Sequence, residues 1–86
     1  MNNNTKGFSI TAVLDKKPVN YFGINLWVST QANWIAVDKD GKVYSYEQEP
    51  QINSIDLRFE PSDISHKLLC EISFSGDWRD SLLKLI

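Results

Sequence analysis

Trp34-Ile35-Ala36-Val37, then Asp38-Lys39-Asp40-Gly41, then Lys42-Val43-Tyr44-Ser45-Tyr46 reads as a β-hairpin, and the rest of the chain is organised around it. A type I turn followed by a bulge needs a left-handed residue at its last position, which Gly41 supplies. Asp38 is expected to accept hydrogen bonds from backbone N–H groups of the turn. If Asp38 faces Lys42, then Val37 pairs with Val43, Ala36 with Tyr44, Ile35 with Ser45 and Trp34 with Tyr46. One face then carries Trp34, Ala36, Tyr44 and Tyr46, and the other Ile35, Val37, Val43 and Ser45. Both faces are largely apolar, which places the hairpin at the centre of the fold.

Downstream, Glu47-Gln48-Glu49-Pro50 ends the hairpin. Ile55, Leu57 and Phe59 alternate with Asp56, Arg58 and Glu60, the pattern of a half-buried strand. Pro61-Ser62-Asp63 breaks it. Leu68, Cys70, Ile72 and Phe74 alternate with Leu69, Glu71 and Ser73 as a further strand, and Ser75-Gly76-Asp77 is a turn. The tail Trp78 to Ile86 is expected to form a short helix capped by Asp77, with Asp80 in its first turn and Trp78, Leu82 and Leu85 on one face. A strand is the alternative there.

Upstream, Phe8 to Leu14 alternates as a strand. Asp15-Lys16-Lys17-Pro18 reads as a turn, because proline has no N–H for a ladder. Val19 to Val28 is a second apolar segment, with Phe22, Ile24, Leu26 and Val28 on one face, Tyr21 and Trp27 on the other, and a bulge or bend at Gly23. Ser29 to Asn33 is a polar break. Residues 1–6 are expected to be a flexible arm, and 7–86 a single β-rich domain. The expected fold class is mainly β, or β-rich α+β: an antiparallel sheet of about five or six strands with short links and a short C-terminal helix.

Composition suits such a domain. The 86 residues are 42% hydrophobic and 12% aromatic, and the aromatics are how so small a chain reaches adequate burial. The net charge of −2, with no basic run longer than Lys16-Lys17, argues against electrostatically driven binding to nucleic acid. Cys70 is the only cysteine, so no intrachain disulfide forms. A secreted domain of this size usually carries several. The polar start Met1 to Lys6 is unlike a signal peptide, and no apolar run is long enough to span a bilayer. The expected setting is the cytoplasm, with no membrane association.

Candidate chemistry is sparse. His66 is the only histidine, and on a strand it would stand roughly 13 Å from Cys70, too far for a nucleophile–base pair. Cys70 falls on an apolar face and reads as a small buried hydrophobe. Asp38-Lys39-Asp40-Gly41 shares residue types with a calcium loop, but the glycine comes too early and strands flank it. No catalytic residue, metal ligand or cofactor is expected. Trp34, Tyr44 and Tyr46 are the residues with functional potential: packed in the core, anchoring a protein partner, or stacking bases. The function expected is a non-enzymatic protein-interaction module. The alternative is a single-stranded nucleic-acid binder using the aromatic face, which the charge disfavours.

Asn33 to Glu47, followed by Pro50, resembles a recurring stretch in small phage and prophage proteins of uncharacterised function. Those look like an aromatic residue, Ile or Val, Ala, any residue, Asp, any residue, Asp-Gly, any residue, Val, then Tyr or Trp, closing on a proline. Trp78-Arg79-Asp80-Ser81-Leu82 is similar to a motif late in such proteins. Together these cover about a quarter of the chain. The sequence departs from the pattern after Pro50, where Gln51-Ile52-Asn53 stands in place of a tryptophan. The resemblance implies a mobile-element origin and a modulator of a host process, and carries no catalytic residue with it.

Overall fold

The computed structural model describes residues 7–9 and 14–85. The expected strand at Phe8–Leu14 and the arm at 1–6 therefore fall largely or wholly outside the described residues. The described chain is mainly β: β1 (Lys16–Tyr21), β2 (Ile24–Ser29), β3 (Trp34–Val37), β4 (Lys42–Tyr46), β5 (Gln51–Asn53), β6 (Arg58–Glu60), β7 (Lys67–Glu71) and β8 (Leu83–Lys84), with one 3-10 turn at Trp78–Asp80. All pairings are antiparallel and fall in three sheets. β1 pairs with β2, β5 with β6, and the third sheet has the order β7-β4-β3-β8. Among the described residues no helix is long and apolar enough to cross a membrane.

The β3–β4 hairpin has the register its sequence dictates: Trp34 with Tyr46, Ile35 with Ser45, Ala36 with Tyr44 and Val37 with Val43. The Asp38 N–H donates to the Lys42 carbonyl and the Gly41 N–H to the Asp38 carbonyl, both at 2.9 Å. Gly41 has φ +92°, the left-handed value the bulge requires. Both faces of the hairpin are covered. Ile35, Val37 and Val43 pack with Tyr21, Val28 and Ala32 in one core cluster, and Ala36 and Tyr46 pack with Phe59 in the other. Burying side chains such as Ile35 and Val37 stabilises by roughly 1.5–3 kcal/mol each.

Elsewhere several expected elements shift. The turn expected at Asp15–Pro18 reaches only Asp15: β1 begins at Lys16 and runs through Pro18, which sits opposite Trp27. The Thr30 N–H bonds the Asp15 carbonyl at 3.1 Å, so Lys17 and Val19 take the bonded places that follow and Pro18 takes a non-bonded one. Its missing donor faces the open edge of a two-stranded sheet. The bend expected at Gly23 is a full reversal, so that Val19–Val28 is the two sides of a hairpin rather than one face-sharing segment. Phe22 and Gly23 have φ +49° and +87°, the two positive values of a type I′ turn, whose twist suits a tight hairpin. The Asn20 side chain stabilises the turn by accepting from the Gly23 N–H at 3.0 Å.

Ile55 and Leu57 leave the expected strand for the turn between β5 and β6, both exposed. Asn53 is the cause. Its Oδ1 accepts from the Ile55 and Asp56 N–H groups at 3.0 and 2.9 Å, an Asx turn that curls the chain before the period-two pattern can extend. In β7 the pairing with β4 shifts between Val43 and Tyr44, so that Leu69 is an extra residue between Cys70 and Leu68. That bulge sends Leu69 and Cys70 both toward the first core cluster and leaves Leu68 exposed. The C-terminal helix contracts to the 3-10 turn. Asp77 caps it by accepting from the Arg79 N–H at 3.0 Å, but the chain then extends and β8 pairs with β3. Trp78 and Leu82 pack on the second cluster and Leu85 on the first, a division that one helical face would not allow.

Ser81 joins this tail to the hairpin. It is fully buried, its Oγ accepting from the Val37 N–H at 2.9 Å and donating to the Val37 carbonyl at 3.1 Å. Its carbonyl accepts from the Tyr21 hydroxyl at 2.8 Å. Val37 sits next to the bonded Asp38–Lys42 pair, so its own N–H and carbonyl turn away from β4. Ser81 satisfies them where β8 does not reach.

Candidate functional site

The hairpin's second face opens onto a cavity of about 510 Å³, floored by Tyr44 and Tyr46 and closed by Phe59, Leu57, Pro61 and His66. Four stretches of chain build it. β4 contributes the tyrosines, the end of β3 contributes Asp38, β6 and its preceding turn contribute Leu57 to Phe59, and the segment before β7 contributes His66. The period-two alternation that sets Tyr44 and Tyr46 on one side of β4 aims both rings into the cavity.

The aromatic walls are in contact. Tyr44 and Tyr46 have ring centroids 6.3 Å apart. The His66 ring lies 5.7 Å from Tyr44 and 6.4 Å from Tyr46, stacked on the latter at 20°. His66 Nδ1 is buried without a hydrogen-bond partner among the described residues.

Asp38 lies at the inner end. It is 8% exposed, and its Oδ1 accepts from the Phe59 N–H at 2.8 Å. The carboxylate expected to serve its own turn thus ties β6 to the hairpin instead. Asp40 takes the local role, accepting from the Lys42 N–H at 3.0 Å. Burial pushes the Asp38 carboxyl above its ordinary range, the Asp40 charge adds to this, and the Phe59 N–H, Arg58 and Lys42 oppose it. Burial, followed by the charge of Asp38, pushes the Tyr46 phenol up as well.

The rim is charged and mostly paired. Lys42 meets Asp40 at 3.5 Å, and Arg58 meets Glu60 at 3.2 Å and Asp56 at 3.9 Å. Among the described residues Asp38 has no ion pair.

The three aromatic residues singled out in the sequence therefore part company. Tyr46 is buried and Tyr44 half-buried, and both line the cavity. Trp34 is half-buried away from it, with the Lys84 ammonium 5.7 Å above its ring. Asp38, Arg58, Phe59 and His66 complete the site, though in the sequence Asp38 reads only as a turn residue and nothing joins the other three to it. The described residues hold no group of three or more His, Cys, Asp or Glu side chains placed to bind a metal. Comparison with protein-family models, curated proteins and solved structures finds no match.

Proposed function

We propose that this domain is a non-enzymatic protein-interaction module whose docking site is the cavity beside β4. The observation that carries the reading is the cavity itself. It is a half-open space of about 510 Å³, with an aromatic floor and a charged rim, on one face of the β3–β4 hairpin. Interfaces concentrate their energy in such aromatic pockets, where one partner side chain is fully desolvated. The likeness of residues 33–47 to phage and prophage proteins favours a host protein as the partner and the host cytoplasm as the setting. Cys70, a lone and partly buried thiol, suits a reducing compartment.

The test is capture from bacterial lysates by the tagged domain, run beside folded Tyr44→Ser and Leu57→Ser variants. A protein retained by the wild type and lost from both variants supports the site. Equal capture by all three, or no capture in any lysate, refutes it.

A further inference from the structure

One carboxylate of the cavity, that of Asp38, stands outside any ion pair among the described residues. The lining carries Asp38, Asp40 and Asp56 with Lys39, Lys42 and Arg58, and Glu60 pairs with Arg58 from outside it. Lys42 and Arg58 are engaged by Asp40, Asp56 and Glu60 at the rim, and Lys39 is exposed. Asp38 is buried, and among the described residues its carboxylate accepts from a single donor, the Phe59 N–H at 2.8 Å. A carboxylate offers about four acceptor positions, so most of its capacity is unspent. Beside it are the rings of Tyr44 and Tyr46, whose electron-rich faces attract cations, and the imidazole of His66.

We infer, resting on the docking reading above, that the cavity takes the guanidinium of an arginine side chain of the partner protein, with Asp38 as its anion and Tyr44, Tyr46 and His66 as its walls. A guanidinium suits this site better than an ammonium. It is planar, stacks on rings, is weakly hydrated, and presents several donors to a carboxylate. An ammonium would give up a stronger hydration shell for the same contacts. A neutral apolar side chain would bury Asp38 further while leaving it only the Phe59 N–H and the outlying charges of Arg58 and Lys42, a costly arrangement.

The probe is the blocked tripeptide acetyl-Gly-Arg-Gly-amide, followed by NMR of the Tyr44, Tyr46 and His66 ring resonances. Comparators are the same peptide with citrulline or lysine at the centre, and spermidine. Saturable shifts with the arginine peptide in the millimolar range are expected, since so small a ligand buries few atoms. Citrulline keeps the shape and removes the charge, and should bind about tenfold or more weakly. Asp38→Asn should lose about as much while its own spectrum stays folded.

Equal binding of the citrulline peptide to the wild type overturns the proposal without recourse to any variant. So does lysine-peptide or spermidine binding tighter than that of arginine. In the lysate experiment, the captured protein should be released by excess arginine peptide and not by the citrulline form. A protein whose capture needs Tyr44 but ignores the arginine peptide overturns the arginine assignment and leaves the docking site standing. Absence of any Tyr44-dependent capture removes the docking reading itself.

Discussion

Gly41→Ala tests the tightest of the glycine positions. Two terms add. Gly41 has φ +92°, and an L-residue forced into the left-handed region costs roughly 1–2 kcal/mol. A Cβ built there would also collide with the backbone carbonyl oxygen of Ile72, just beyond the end of β7. Backbone has no rotamer by which to escape, so the segment after β7 must move. That movement strains the 2.8 Å bond from the Ile72 N–H to the Gly41 carbonyl, worth about 1 kcal/mol. The sum is about 2–3 kcal/mol, against a total stability on the order of 5 kcal/mol for so small a domain. At roughly 4–8 °C per kcal/mol, the melting temperature should fall by roughly 8–24 °C.

Two other glycines separate the terms. Gly23 has φ +87°, but a Cβ there meets nothing within 4 Å. Gly23→Ala therefore suffers only the conformational cost and should fall short of the Gly41→Ala loss by about 4–8 °C. Gly7 is exposed with open space around it, and Gly7→Ala should melt with the wild type. The assay is thermal unfolding followed by circular dichroism and tryptophan fluorescence. If Gly41→Ala and Gly23→Ala lose the same amount, Ile72 does not lie against the turn. If Gly41→Ala melts with the wild type, the positive φ itself is wrong and the hairpin register loses its anchor.

Ser81→Ala should cost about 1–3 kcal/mol, because it strands the buried N–H and carbonyl of Val37. Native-state hydrogen exchange at the Val37 amide should accelerate, and unchanged protection there would refute the role given to Ser81. Asp38→Asn should leave stability at neutral pH unchanged or raised, since an amide oxygen can still accept from the Phe59 N–H while the buried charge is gone. The Asp38 carboxyl titrates higher when folded than when unfolded, so between those two values the native state binds more protons. The contribution of Asp38 to stability is therefore complete below the ordinary carboxylate range and is lost as pH rises through its raised folded value. Wild type minus Asp38→Asn should accordingly become more favourable as pH falls through that window, with other carboxyls cancelling in the difference; a flat or opposite trend contradicts the burial of the charge. Leu57→Asn should stabilise by about 0.5–1 kcal/mol by relieving φ +56° at an exposed position, and a lower melting temperature would count against that turn.

What was legible in the sequence was what is local and doubly specified. In the β3–β4 hairpin the turn chemistry and the alternation on both strands point to one register, and no tertiary contact is needed to choose it. Legibility failed where a side chain bonded to backbone overrode the apolar pattern. Asn20 helps turn the chain at Phe22-Gly23, and Asn53 curls Ile55 and Leu57 out of an alternation that reads as a continuous strand. It failed again at Pro18, whose fitness for a strand depends on which edge its nitrogen faces, a fact of pairing that one strand does not contain.

The site was hidden for a related reason. Asp38 sits where a turn wants an aspartate, and the local explanation is sufficient to account for it. Yet its carboxylate reaches 21 positions along the chain to the Phe59 N–H, and Asp40, two residues on, performs the turn role alone. A residue with an adequate local reason gives no sequence signal of a second, long-range one. The same holds for Tyr46, which any core would accept. Only when β6 folds back against the β3–β4 hairpin do a buried carboxylate, two phenols and an imidazole share one cavity. If Asp38 were there only to hold β6, asparagine would serve as well, without the cost of burying a charge. An aspartate where an asparagine could make the same bond to the Phe59 N–H favours the proposal that the cavity receives a cation.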